Sequence, residues 1–138
     1  MTAMHRAFVD HPLPLPLEQH GIVLRRVGYD THTNVPHLVV HHSPTGYEWG
    51  YGGSGPADLA LNILEWHLRR ERYRGETLPC FEGRCFRLAW HLHQDFKRDV
   101  IAACGRQEAH IPLETVTNWL ATARLTAESM KHLPSPAP

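Results

Sequence analysis

The sequence predicts an α+β fold in which a small antiparallel sheet of three to four strands packs against three helices. Three observations lead to this prediction. Short apolar runs separated by turn residues fill residues 21–49. A glycine-rich turn, residues 50–55, then opens a segment that is apolar around its whole helical circumference. Two further segments repeat apolar residues with helical spacing.

The first part of the sheet is predicted from the apolar runs and the turns between them. Strands are expected at residues 22–27 and 35–42, with a polar turn at residues 30–34. A Ser-Pro-Thr-Gly turn at residues 43–46 leads to a third strand at residues 47–49, where aromatic and acidic residues alternate. Together these strands form a predicted antiparallel meander.

Two shorter extended segments are predicted further along the chain. Residues 80–86 are expected to form a small hairpin around Glu82 and Gly83, because Gly favours a tight turn. Residues 109–111 are expected to form a last strand at an edge of the sheet.

Three helices are predicted at residues 57–70, 88–104 and 112–128. Pro56 suits the first helical position, because that residue needs no amide donor. The first of these helices is apolar on every side, which is typical of a buried central helix.

Length and composition indicate one domain of ordinary globular type. The chain has 138 residues, of which 42% are hydrophobic and 20% are charged. Alternating prolines predict an extended arm over residues 1–20, and three prolines in the last six residues predict a flexible tail over residues 131–138. A single α+β domain is therefore expected over residues 21–130.

Charge and apolar content also limit the expected location and partners. Lys+Arg and Asp+Glu number 14 each, whereas a nucleic-acid binder usually has a basic excess. Residues 1–10 hold no apolar run of signal-peptide length, and no stretch approaches the roughly 20 apolar residues that cross a bilayer. We expect a cytoplasmic protein that does not enter a membrane.

The glycine-rich turn is the candidate ligand site. Glycines let another group approach the backbone closely, and a helix start offers amide groups to an anion. The turn matches neither a Walker A loop nor a dinucleotide-binding fingerprint. The alternative is a structural strand-to-helix connection that Ser54 or Gly55 caps. The candidate ligand residues, including two aromatic side chains that could stack on a bound ring, are Trp49, Tyr51, Gly52, Gly53, Ser54 and Gly55.

Six further residues are candidates for an interaction surface. A basic cluster follows the first helix, where it could contact phosphate groups or serve only as a solvated helix end. Two tryptophans lie beside, rather than on, the apolar stripes of the second and third helices, a position that favours an interface. These residues are Arg69, Arg70, Arg72, Arg74, Trp90 and Trp119.

Metal and nucleophile motifs are weak, so no metal, cofactor or catalytic residue is predicted. The chain has 12 histidines, but Cys80 and Cys85 with His91 or His93 match the paired spacing of zinc ligands only loosely. Ser54 lies in a Gly-Gly-Ser-Gly-Pro run and not in the Gly-x-Ser-x-Gly elbow of a hydrolase.

One stretch carries a family resemblance. Residues 42–61 read HSPTGYEWGYGGSGPADLAL. This run resembles the signature of an uncharacterised family of small proteins from phages, plasmids and prokaryotic genomes, with weaker similarity across residues 21–121. The resemblance implies a mobile-element setting, where small proteins often bind and modulate host machinery, and it carries over no metal site.

These observations favour a non-catalytic accessory protein that engages a host protein complex, such as defence or transcription machinery. Two alternatives stay open. One is a small-ligand or nucleotide-binding protein, or an enzyme, that uses the glycine-rich turn as an anion site. The other is a nucleic-acid binder that uses the basic cluster after the first helix.

Overall fold

The structure, a computed structural model, describes residues 10–41 and 46–131. Their mixture of helices and mostly antiparallel strands confirms the α+β prediction. The strands are β1 (Asp10–Pro12), β2 (Ile22–Val27), β3 (Asp30–Thr33), β4 (Thr77–Pro79), β5 (Arg84–Phe86) and β6 (Glu108–Ile111). The helices are α1 (Leu17–His20), α2 (Ser54–Arg70), α3 (Arg87–Phe96) and α4 (Leu113–Lys131), and a π-helical turn (Lys97–Ile101) extends α3.

Strand β2 is central in a four-stranded sheet of order β1-β3-β2-β6. It pairs antiparallel with β3 and with β6, whereas β1 pairs parallel to β3 at one edge. A two-residue turn joins β2 to β3, and Gly28 takes the positive φ of 62° that a hairpin turn of this kind requires. Alternation along β2 buries Ile22 and Leu24 in the core.

The predicted meander is wrong in its first turn and in its second strand. Residues 30–34, expected as a turn, supply β3, because Thr31 and Thr33 turn their β-branched side chains inward and are buried. Residues 35–40, expected as part of a strand, are irregular apart from one bridge between Val40 and Glu82. Most of the predicted turn at residues 43–46 lies outside the described residues.

A side chain replaces the missing strand partner of residues 35–40. The Oδ1 atom of Asn62, on α2, accepts hydrogen bonds from the amides of Leu38 and Val39, at 2.7 and 3.0 Å. Its Nδ2 atom donates to the carbonyl oxygens of Val39 and Asp58, at 3.0 and 2.9 Å. We call this arrangement the Asn62 clamp. It satisfies buried backbone groups that a neighbouring strand would otherwise have to satisfy.

The third predicted strand, residues 47–49, is also wrong. The segment has no strand pairing, although Tyr47 and Trp49 are both fully buried. The Tyr47 hydroxyl donates to the carbonyl oxygen of Pro36 at 2.6 Å, and its ring stacks on His37 at 3.8 Å. The aromatic alternation therefore indicated burial of two large side chains and not a strand.

Helix α2 is the central helix, as predicted. Twelve of its 17 residues are buried, which is the outcome expected for a helix that is apolar on every side. Polar residues on it are buried only with partners: the Glu65 carboxylate accepts the Phe86 amide and the Arg69 Nε–H, both at 2.8 Å. The helix lies against α3, the π-helical turn and α4.

The other predicted elements occur with shifted bounds. Strands β4 and β5 confirm the predicted hairpin, and β6 confirms the predicted edge strand. The helix predicted at residues 88–104 is α-helical only to Phe96 and continues as the π-helical turn to Ile101. The wider turn brings Ile101, five residues after Phe96, into the core. Val100 and Cys104, the residues at the expected four-residue spacing, are only partly buried.

The predicted terminal segments are described in part. Residues 1–9 and 132–138 lie outside the described residues, and with them lies most of the predicted flexible tail. Within the predicted extended arm, β1 joins the sheet and α1 makes one helical turn that buries Leu17. Among the described residues, no helix is long and apolar enough to cross a membrane.

A partly buried histidine on α2, His67, makes stability depend on pH. Burial lowers the pKa of His67; Arg70 and Arg124 lower it further, while Glu71 raises it. Because the unfolded chain then takes up the proton first, stability is complete above the ordinary pKa of 6.5 and declines as the pH falls below it. We expect His67→Gln to weaken this decline in urea unfolding between about pH 7.5 and about pH 5.5. The exposed His91→Gln variant should keep the wild-type decline, and equal slopes in all three proteins would contradict the assignment.

Candidate functional site

The predicted ligand turn lies beside β2 and the loop that precedes β6. The Gly50 amide donates to the carbonyl oxygen of Ile101 at 3.0 Å, which ties the turn to the end of the π-helical turn. Arg26, on β2, donates from Nε to the carbonyl oxygen of Arg106 at 3.1 Å. Three segments that are distant in the sequence therefore meet at this end of the sheet.

An ion pair closes one side of the turn. Arg26 donates two hydrogen bonds to the Glu48 carboxylate, at 3.0 and 2.6 Å, and only about a fifth of each side chain is exposed (18% and 20%). The hydrogen bonds to Glu48 raise the pKa of Arg26 above its ordinary value, against an opposing effect of burial. Since Arg26 already binds this carboxylate, its charge is committed within the chain.

The two predicted aromatic ligand residues have different surroundings. Trp49 is fully buried, and the Arg26 guanidinium covers its ring at 4.8 Å, so Trp49 offers no ring surface on which a ligand could stack. Tyr51 is exposed, with the Arg106 guanidinium 5.7 Å from its ring. Partial loss of solvent and the nearby Glu48 raise the pKa of Tyr51, while Arg26 and Arg106 oppose this effect. The tyrosine is therefore a neutral hydrogen-bonding group at neutral pH.

The predicted glycines divide into an open half and a packed half. Gly52 and Ser54 are exposed, and a side chain at Gly52 would meet no atom within 4 Å. The N-cap residue of α2 is Gly53, not Ser54 or Gly55 as predicted. No side chain makes a capping hydrogen bond to the start of the helix. Gly55 is buried against Glu48: an added Cβ would lie 2.8 Å from the Glu48 Cβ. This close contact supports the structural interpretation of Gly55.

The predicted basic cluster is partly neutralised. Arg69 pairs with Glu65 at 2.8 Å, and Arg70 lies over the Trp66 ring at 5.6 Å. Arg72 and Arg74 are exposed and make no ion pair with the described residues. The cluster thus presents two uncommitted cations rather than four.

The two predicted interface tryptophans are half-buried against their own chain. Trp90 lies between His41 and His93, at 4.2 and 4.7 Å between ring centroids. Trp119 donates from Nε1 to the Asp99 carboxylate at 2.9 Å, a bond that lowers the pKa of Asp99. Both rings therefore pack within their own chain, and only part of each ring is available to a partner.

Sequence reasoning missed an exposed apolar surface at the β2–β3 turn. Tyr29 and Val27, at the β2–β3 turn, are 80% and 58% exposed. Val27 is the last residue of β2, on the outward-facing side of the strand, and Tyr29 follows it in the turn. We call Val27 and Tyr29 the turn-end surface. Gly28 was the available signal, because a Gly between two strands marks a hairpin turn whose next residue is presented to solvent.

Within the described residues, the side chains of the metal and nucleophile motifs do not come together in one site. No group of three or more His, Cys, Asp or Glu that could hold a metal ion occurs within residues 10–41 and 46–131. His93 is fully buried on α3, and Cys80 and Cys85 are free thiols on the β4–β5 hairpin. The Glu48 carboxylate, which could orient a catalytic base for Ser54, is bound by Arg26.

Comparisons with known proteins give one match. No curated protein and no solved structure matches the chain. The sequence model of a family of unknown function, DUF6166, matches residues 19–79, which contain β2, β3, the glycine-rich turn, α2 and β4. Residues 19–79 are therefore similar to an uncharacterised domain family, DUF6166.

Proposed function

We propose that this chain is a non-catalytic accessory protein, of phage or mobile-element type, that binds a protein complex of its host in the cytoplasm. The observation that carries the proposal is the turn-end surface. Tyr29 is 80% exposed and lies two positions from Val27, which is 58% exposed. Tyrosine is one of the residue types that contribute most binding energy at protein interfaces.

The turn-end surface is also held in a fixed shape, which favours binding. The β2–β3 turn has only two residues, and its register continues directly into paired strands. Arg26 anchors the neighbouring strand end through two bonds to Glu48 and one to the Arg106 carbonyl. A surface that is already ordered loses less conformational entropy when a partner binds.

The alternative functions have less support from side-chain positions. An anion site at the glycine-rich turn would have to work without Arg26, which binds Glu48, and without the buried Trp49 ring. A nucleic-acid surface would rest mainly on Arg72 and Arg74, because Arg69 binds Glu65. The zero net charge gives such a surface no long-range attraction for phosphate.

The test compares retention of a host protein by the wild-type chain and by two surface variants. We expect the immobilised wild-type chain to retain a defined protein from a prokaryotic host lysate, and purified partner to bind at least about tenfold more weakly to Tyr29→Ser. Leu125→Ser is the matched control, because Leu125 is 69% exposed on α4. It should bind like wild type.

Two outcomes would contradict the proposal. The first is equal partner binding by Tyr29→Ser and wild type. The second is a clear rise in melting temperature with millimolar nucleotide or sulfate, since a ligand of the native state must stabilise it. That rise would favour the anion site. Binding that weakens steeply with salt, without any protein partner, would favour the nucleic-acid alternative.

A further inference from the structure

Two free thiols face each other in the β4–β5 hairpin. The Sγ atoms of Cys80 and Cys85 are 3.2 Å apart and in hydrogen-bond contact. Cys85 is fully buried, whereas Cys80 is partly exposed. The third cysteine, Cys104, donates its thiol hydrogen to the carbonyl oxygen of Val100 at 3.2 Å.

The hairpin holds these thiols in place from three sides. The strands pair in register up to Pro79 and Arg84, and the Cys80 amide donates to the Gly83 carbonyl oxygen at 2.9 Å. Glu82 at the tip exchanges two backbone hydrogen bonds with Val40, at 2.9 and 3.0 Å. The buried Glu65 carboxylate accepts the amide that directly follows Cys85. The short distance between the sulfur atoms is thus supported by the fold around them.

We propose that Cys80 and Cys85 form a reversible dithiol–disulfide pair that a low-molecular-weight disulfide, such as oxidised glutathione, oxidises. The Cys80 thiolate attacks one sulfur of oxidised glutathione, which forms a mixed disulfide and releases one glutathione. Cys85 then loses its proton and attacks the Cys80 sulfur, which forms the intramolecular disulfide and releases a second glutathione. Two thiol hydrogens leave the protein, and the oxidant gains two electrons.

Exposure decides which thiol reacts first. Solvent reaches Cys80 but not Cys85. Burial raises the pKa of both thiols, but the hydrogen bond with Cys85 lowers the pKa of Cys80, whereas the bond with Cys80 raises the pKa of Cys85. Since the thiolate is the nucleophile, oxidation begins at Cys80 and accelerates as the pH rises.

The disulfide would fix the tip of the hairpin. It closes a ring over residues 80–85, which contains Phe81, a side chain that is 72% exposed. Closure of the ring removes conformational freedom from the tip in the unfolded chain. Oxidation is therefore expected to stabilise the hairpin tip that carries this exposed aromatic residue.

Peptide mapping of the unmodified sequence tests the proposal. After native incubation with oxidised glutathione, we expect a mass decrease of about 2 Da and one remaining free thiol of three. Trypsin cleaves after Arg74, Arg84 and Arg87, so a linked pair of peptides, 75–84 with 85–87, should appear without reductant and separate on reduction.

Two cysteine variants provide the controls. Cys104→Ser should still lose both of its remaining thiols, and Cys80→Ser should keep both of its own. A stable glutathione adduct on wild type, or a link between peptides 75–84 and 99–106, would overturn the proposal. Because the peptide map is made on wild type, it decides the question even if Cys80→Ser folds poorly.

Discussion

Replacement of Asn62 by alanine is expected to lower the free energy of unfolding by about 3–4 kcal/mol. The substitution removes the Asn62 clamp and leaves the amides of Leu38 and Val39 and the carbonyl oxygen of Val39 without their partner. Each buried backbone group that loses its hydrogen bond costs about 1–3 kcal/mol. The measurement is urea unfolding, followed by tryptophan fluorescence.

Asn118→Ala is the matched control for this prediction. Asn118 is exposed on α4, so the same change there removes no buried partner. It should leave the free energy of unfolding within about 0.5 kcal/mol of wild type, because alanine favours helix. A loss for Asn62→Ala as small as that of the control would show that water or a shifted loop satisfies residues 38 and 39.

The second large effect is expected at Gly55, where alanine should cost about 2–3 kcal/mol of stability. An added Cβ would lie 2.8 Å from the Glu48 Cβ and 3.2 Å from the Glu48 backbone nitrogen. The Glu48 Cβ is fixed to the backbone, and Arg26 holds the Glu48 carboxylate, so the segment cannot move aside without loss of that ion pair. The higher helix propensity of alanine, roughly 1 kcal/mol, offsets only part of this strain.

Gly52→Ala separates this steric effect from a general effect of added side chains in the turn. A Cβ at Gly52 meets no atom within 4 Å, so thermal and urea unfolding of this variant should match wild type. Equal destabilisation of both variants would mean that backbone freedom of the whole turn, and not the contact with Glu48, explains the glycines.

The sequence predicted the helices better than the strands, and α2 shows why. A helix is specified by residues within a few positions of each other: Pro56 in its first turn, apolar residues on every side, and basic residues in its last turn. Helix α2 begins two residues before Pro56, the predicted first position. The extra residue of the π-helical turn was not predictable in this way, because it depends on which side chain, Val100 or Ile101, reaches the core.

The missed strands depended on contacts distant in the sequence. Residues 35–40 have the apolar character of a strand, yet their backbone partner is the side chain of Asn62, more than 20 positions away. Residues 47–49 alternate because Tyr47 and Trp49 are buried, not because a neighbouring strand pairs with them. Apolar alternation indicates which side chains are inside but not what the backbone bonds to.

The candidate site was predicted from its glycines, but its charged and aromatic surroundings were not. The pairing of Arg26 with Glu48 brings together a strand and an irregular segment, and no local pattern relates the two residues. Trp49 belongs to the hydrophobic core, and Arg26 of the same ion pair lies over its ring. Tyr29 was within reach of sequence reasoning through Gly28, whose role as a turn residue was assigned to residues 30–34 instead.

The position of β6 in the sheet has a consequence for folding. Its pairing with β2 joins residues more than 80 positions apart, so this part of the sheet has high contact order. During synthesis β2 remains an open edge until residues 108–111 leave the ribosome, and unpaired edges invite association with other chains. A fragment restricted to residues 19–79, the stretch similar to DUF6166, lacks that closing strand and is expected to aggregate.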